Sequence, residues 1–276
     1  MSALSHASTL SLEELPRRLI EHWRKVVAEA PLSNEPFGNF WIQPAFPEDV
    51  YERLLASMPD PGLYNPLNPK RWARADGTST RDQLTLTDAN FGRMEPETEG
   101  FWRAVAHALT SDAAKRIFFA KLRDDVGLRL GVPADEVEDA DAWVQAMLVR
   151  DIEDYRIKPH TDGFPRVVTL MFYLPEDDSR LDLGTSVYVD KGRVMGLAGK
   201  RFKEVDRFPF RRNSAGVFAV NDLPQRRSFH GRELISQGSG VRNSIIQVWT
   251  SQFQPGKGGA RQETFPCHHE LDRETA

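Results

Sequence analysis

With 276 residues, 40% of them hydrophobic and 28% charged, the chain is long enough to bury a sizeable core, and its formal net charge of −4 gives no reason to expect nucleic acid as a partner. Its single cysteine, Cys267, excludes an intrachain disulfide, and no apolar run approaches the length of a membrane span. Residues 1–9 lack the basic start and apolar middle of a secretory signal, so a cytoplasmic location is expected.

In chain order, residues 1–10 are rich in Ser and Ala and are expected to fray. Ser11, Glu13 and Glu14 mark a helix start, and Leu15, Leu19, Trp23 and Val27 recur at helical spacing. Pro16 suits a first turn only if the regular helix begins a few residues after Ser11. His22 lies off the apolar row and reads as a solvated surface residue. Residues 39–43 read as a short strand and 47–58 as a helix opened by proline. Between Pro59 and Glu99, Pro and Gly punctuate a polar stretch that reads as long ordered loops. Within it, Lys70, Arg71, Trp72 and Arg74 are either a solvated surface or a loop able to close over a substrate. Residues 100–130 read as helical, with Phe101, Val105, Leu109, Ile117, Ala120 and Leu122 as core positions and His107 as structural.

After an acidic turn region at 133–141 the period changes toward two, with Trp143, Gln145, Met147 and Val149 on one face. Strands follow at 156–162, 167–174, 185–189, 216–220, 228–231 and 243–253. Many short strands divided by Pro, Gly and Asp turns predict an α+β fold with a mainly β core, a double-stranded β-helix or jelly roll of the cupin type. The core would occupy 141–253 of a single catalytic domain, with helices and loops from 11–140 packed on one sheet and 254–276 as a tail.

Alternate side chains of a strand share a face, so His160 and Asp162 can point at one centre while Thr161 points away. A second imidazole, His230, would complete a set of two histidines and one carboxylate, the pattern suited to non-heme Fe(II) with open positions for substrate and oxygen. The plain alternative is that both are ordinary, partly buried histidines. Gly238-Ser239-Gly240 reads as a turn, and Cys267-His268-His269 as part of a polar tail rather than a metal site.

The ordered set His160-Thr161-Asp162, then His230, then Arg242 twelve positions later with Ser244, resembles the Fe(II)/2-oxoglutarate-dependent dioxygenase superfamily. Residues 166–175 and 183–188 resemble its core strands, and 40–47 its entry segment. The resemblance implies Fe(II) on His160, Asp162 and His230, with 2-oxoglutarate and O2 as cosubstrates. Two neutral imidazoles and a carboxylate leave Fe(II) with about one net positive charge and roughly three open coordination positions. The far carboxylate of 2-oxoglutarate would then rest on Arg242, whose planar fork suits bidentate binding, and on Ser244. Tyr173 is either a further partner of that carboxylate or a packing residue. The implied chemistry is decarboxylation of 2-oxoglutarate to succinate and CO2 coupled to hydroxylation. An intact Asp162 speaks against halogenation, while desaturation and ring closure stay open.

Lys191, Arg193, Lys200, Arg201, Lys203, Arg207, Arg211 and Arg212 outnumber Asp190, Glu204 and Asp206 in a connection between two strands. With Arg226, Arg227 and Arg232, this segment would either rim the site and attract a small anionic substrate, a sugar or amino-acid derivative, or be merely solvated. Three alternatives remain: a protein or peptide substrate, a cupin-like metal enzyme that does not use 2-oxoglutarate, and a non-catalytic protein with a vestigial site. Oligomeric state is left open by the sequence.

Overall fold

The computed structural model describes residues 11–197, 199–224 and 226–251 and the backbone of 265–266. The expectations for residues 1–10 and for Cys267-His268-His269 lie outside the described residues. In the first half come α1 (Leu15–Glu29), β1 (Leu32–Ser33), β2 (Asn39–Ile42), α2 (Glu48–Ala56), β3 (Asn65–Pro66), β4 (Arg81–Thr85), α3 (Asp88–Phe91), α4 (Pro96–Leu109), α5 (Asp112–Lys121) and α6 (Arg123–Leu130). The second half holds β5 (Trp143–Asp151), β6 (Ile157–His160), β7 (Arg166–Tyr173), β8 (Thr185–Asp190), α7 (Arg193–Leu197), β9 (Phe202–Phe208), β10 (Ser214–Ala219), β11 (His230–Arg232), β12 (Arg242–Thr250) and β13 (Phe265–Pro266).

Two antiparallel sheets result. The larger runs β1-β2-β10-β7-β12-β5-β4-β3, with β13 also on β5, and the smaller runs β6-β11-β8-β9. Strands β5, β7 and β12 are buried on both faces, so alternation sorts their residues between two interiors rather than between core and solvent. Val144, Ala146, Leu148, Val168, Leu170, Phe172, Ile245 and Trp249 join the cluster under the helices. There α1, with Pro16 in its first turn, buries Leu15, Leu19, Trp23 and Val27. Trp23 packs against Phe172 and Phe118 at centroid distances of 5.9 and 6.0 Å. Burial of each such side chain contributes about 1.5–3 kcal/mol. The other face contributes Met171, Tyr173, Phe218 and Val220 to a second cluster with Val187 and Phe208 of the small sheet.

Several expectations are corrected. The 59–99 stretch is not all loop: it contains β4, and α4 begins at Pro96. Only Leu84 of β4 is buried, so the strand carries no apolar alternation to betray it. The large sheet thus recruits β1 to β4 from ahead of residue 141. Residues 100–130 form three helices rather than one, and Phe118 and Phe119 are buried where Ile117 and Ala120 are half-buried. His22 is half-buried, its Nε2 lying 3.1 Å from the Pro44 carbonyl, and burial lowers its pKa. The basic 190–214 segment is not a loop: it holds α7 and β9, an edge strand whose exposed charges discourage further pairing. Among the described residues no helix is long and apolar enough to cross a membrane.

Candidate metal centre

Strand β6 ends at His160, and its pairing with β11 sets His160 directly opposite His230. The two imidazole centroids are 4.4 Å apart. Gly231 permits this approach, because a Cβ there would come within 2.8 Å of the Ile157 carbonyl. Asp162 does not continue the strand as expected; it lies in the following loop, yet still turns its carboxylate back to the pair. Its Oδ1 is 3.8 Å from His160 Nε2 and its Oδ2 3.9 Å from His230 Nε2. The donor atoms of these three residues all lie within 4.8 Å of one another, and no other such group of three or more occurs among the described residues.

Both imidazoles are oriented from behind. His160 Nδ1 lies 3.1 Å from the Lys158 carbonyl and His230 Nδ1 2.9 Å from that of Ser228. A carbonyl only accepts, so each Nδ1 carries the proton and each Nε2 offers its lone pair inward. Burial, reinforced by His230, pushes the pKa of His160 down to about 4, which keeps it neutral near pH 7. Burial works to raise the pKa of Asp162, but His230, Arg166, His160 and Thr169 outweigh it and hold the carboxyl below its usual range. Arg166 Nη1 donates to Asp162 Oδ1 at 2.5 Å and Thr169 Oγ1 to Oδ2 at 3.1 Å.

The trio opens into a cavity of about 410 Å3 between the sheets, lined also by Arg242 and Thr185. Arg242 is buried on β12 and donates Nε to the Leu183 carbonyl at 2.7 Å, Nη1 to Asp151 Oδ2 at 2.6 Å and Nη2 to Thr185 Oγ1 at 3.2 Å. The Tyr173 ring lies 5.0 Å from its guanidinium, and the Tyr173 hydroxyl donates to Thr185 Oγ1 at 2.9 Å. Ser244 follows on the same face of β12, buried, with a hydroxyl that has no hydrogen-bond partner among the described residues. An orphaned buried hydroxyl beside a buried arginine fits an incoming carboxylate.

The basic segment does not rim this cavity, since none of the described residues of 190–214 lines it. Arg201 pairs with Asp190 at 2.9 Å, Arg207 with Glu204 at 2.8 Å, Arg211 with Asp178 at 3.6 Å, and Arg212 with Glu48 at 2.5 Å and with Glu52. Arg226 is held by Asp125 at 2.9 Å. Of the sequence-nominated basic residues near the third histidine, Arg232 does line the cavity; it is buried and donates Nη1 to the Gly184 carbonyl at 2.7 Å. Burial and the neighbouring Arg242 bring its pKa down to about 10. Arg71 and Trp72 of the 70–74 stretch line the cavity too, while Arg74 is tied to Asp154 at 2.9 Å. Sequence reasoning missed Arg81 and Asp151. They face each other across β4 and β5, with Arg242 opposite Asp151 on β12. A carboxylate ending the apolar run of β5 is the only local signal of that row.

No family model and no curated protein matches the chain. Among solved structures, it is similar to the non-heme α-ketoglutarate-dependent epimerase SnoN from nogalamycin biosynthesis, at 13% identity over 94% of this chain and 96% of that one, with a TM-score of 0.46. A Pseudomonas putida prolyl-4-hydroxylase matches at 15% identity over 86% of this chain and 98% of that one, with a TM-score of 0.45. HygX from Streptomyces hygroscopicus, solved with nickel and 2-oxoglutarate bound, matches at 13% identity over 78% of this chain and 83% of that one, with a TM-score of 0.41. Likenesses of this size leave the chemistry to be read from the pocket's own residues.

Proposed function

We propose that this chain is an Fe(II)- and 2-oxoglutarate-dependent oxygenase, a single catalytic domain whose facing sheets form a double-stranded β-helix. The observation that supports it is one cavity lined by both parts of the required chemistry, two inward-facing Nε2 atoms with a carboxylate and the buried Arg242; Ser244, two residues on along the same face of β12, has a buried hydroxyl with no partner among the described residues. His160, Asp162 and His230 would hold Fe(II), which when bound supplies redox capacity and open positions for a 2-oxo acid and oxygen. The Lys158 and Ser228 carbonyls fix the imidazoles, and Arg166 and Thr169 fix the carboxylate. Each Nη of Arg242 spends one N–H on the protein and keeps one, so the fork can still take the far carboxylate of 2-oxoglutarate, with Ser244 donating a third hydrogen bond. Tyr173 holds Thr185 and flanks the guanidinium. The net reaction consumes O2 and 2-oxoglutarate and yields succinate, CO2 and a hydroxylated substrate.

The test is Fe(II)-dependent conversion of 2-oxoglutarate to succinate, followed with and without the Arg242→Ala and Ser244→Ala changes. Arg242→Ala is expected to raise the KM for 2-oxoglutarate by about tenfold or more, and Ser244→Ala by less. An unchanged KM in both variants removes the assigned carboxylate site, and metal-dependent turnover without any 2-oxo acid points to a cupin-like enzyme instead.

A further inference from the structure

The cavity carries more positive charge than the proposed chemistry uses. Arg71, Arg81, Arg166, Arg232 and Arg242 line it against two carboxylates, Asp151 and Asp162, which leaves a formal charge of +3. Fe(II) and dianionic 2-oxoglutarate cancel each other, so the excess persists when both are bound. Arg166 is committed to Asp162, and Arg232 and Arg242 both hold the Leu183 to Thr185 segment at the cosubstrate end. Arg232 has no carboxylate partner among the described residues either, but its N–H groups face that segment; the rest of the positive charge, Arg71 and Arg81, is at the β4 side.

There Arg81 shares Asp151 with Arg242, its Nε 3.2 Å from Oδ1, and its Nη1 meets the Tyr155 hydroxyl. Its Nη2 donates to nothing among the described residues. Burial lowers its pKa, and the repulsion of Arg242 and Arg166 offsets part of what Asp151 restores. The Arg81 guanidinium lies 4.8 Å from the Tyr155 ring, Tyr155 packs on Trp72 at 5.2 Å, and Arg71 lies 4.6 Å over Trp72. Arg71 has no carboxylate partner among the described residues. Two cations thus bracket an aromatic wall that faces the same cavity as the metal trio. A cavity of about 410 Å3 that must also hold 2-oxoglutarate suits a small molecule rather than a folded protein.

Taking the oxygenase reading as its basis, we infer that the molecule oxidised here is a small anion, whose carboxylate or phosphate is gripped by Arg81 Nη2 and capped by Arg71 while its body lies against Trp72. Charge-assisted hydrogen bonds from a preorganised guanidinium suit either oxyanion, and relief of uncompensated charge favours occupancy.

The test loads the full chain anaerobically with Fe(II) and saturating 2-oxoglutarate, then titrates it calorimetrically with inorganic phosphate, with acetate, and with acetamide as the uncharged counterpart. Saturable binding of phosphate or acetate is expected, with none of acetamide, and Arg81→Met and Arg71→Ala should each weaken it by about tenfold. Arg71 is exposed, so its variant keeps the test open if Arg81→Met does not fold. Preference for phosphate or for acetate tells the two anion classes apart. The visible band of chelated 2-oxoglutarate in the same sample reports separately on the underlying reading. No band removes the oxygenase reading and this inference with it. A band without saturable anion binding, with equal acetamide binding, or with binding unchanged in both variants overturns the substrate inference alone.

Discussion

Toward the helices β7 presents Val168, Leu170 and Phe172; toward the small sheet the same strand presents Thr169, Met171 and Tyr173. Strand β12 divides likewise, Ile245 and Trp249 on one side and Arg242, Ser244 and Ile246 on the other. Both sides are buried, so burial alone does not separate them; what differs is how many buried polar groups each carries, Gln247 alone on the helix side of these two strands against Thr169, Tyr173, Arg242 and Ser244 on the other. On the site side Thr169 is spent on Asp162, Tyr173 on Thr185 and Arg242 on Asp151, which makes each polar side chain tolerable and at the same time fixes it. A sheet with two buried faces can therefore hold the fold with one and position chemistry with the other.

That division can be broken from either side. The largest effect is expected from His160→Ala, Asp162→Ala or His230→Ala, each of which should abolish Fe(II)-dependent turnover. Fe(II) affinity should fall by more than the roughly 10–100-fold that loss of an outer hydrogen bond causes. Metal titration and circular dichroism of each variant check this, and full activity in one would remove that residue from the ligand set. On the helix side, Phe172→Ala should lower unfolding free energy by about 3–5 kcal/mol in a denaturant titration while the folded variant keeps its Fe(II) affinity. A parallel fall in affinity would show that the two faces are not separable.

Acid sharpens the comparison, because His160 is on the site side. Its folded pKa of about 4 lies below the roughly 6.5 of an unfolded histidine, so between those values the unfolded chain holds a proton that the folded one lacks. Metal-free protein should have the full contribution above about pH 6.5 and lose up to roughly 3 kcal/mol as pH falls toward 4. Replacing His160 with Gln should flatten that slope, and an unchanged slope would contradict the assignment. The smallest effect is expected from Thr169→Val, which removes one hydrogen bond from Asp162 and should weaken Fe(II) binding by about tenfold.

Convergence of His160 with Asp162 and His230 was legible because the first two are close in sequence and the third sits in a short strand. Arg81 and Asp151 were not, since their partnership exists only through the register of β4, β5 and β12. The phase of the helical core was lost at Ser111. There α4 has ended and its hydroxyl caps α5 by accepting from Ala114 N–H, so the apolar row restarts and selects Phe118 and Phe119. The 190–214 charges misled for a related reason. Glu48, Glu52 and Asp178, which neutralise Arg211 and Arg212, are remote in the chain, and counting charge along a segment cannot see them.

The most direct measurement is an anaerobic titration of metal-free protein with Fe(II) and then 2-oxoglutarate, watching for the weak visible charge-transfer band of a chelated 2-oxo acid, with His160→Ala as control. A band that requires both additions and is absent from the variant is expected. Metal binding with no band on adding 2-oxoglutarate, or a band that persists in the variant, would contradict the oxygenase reading.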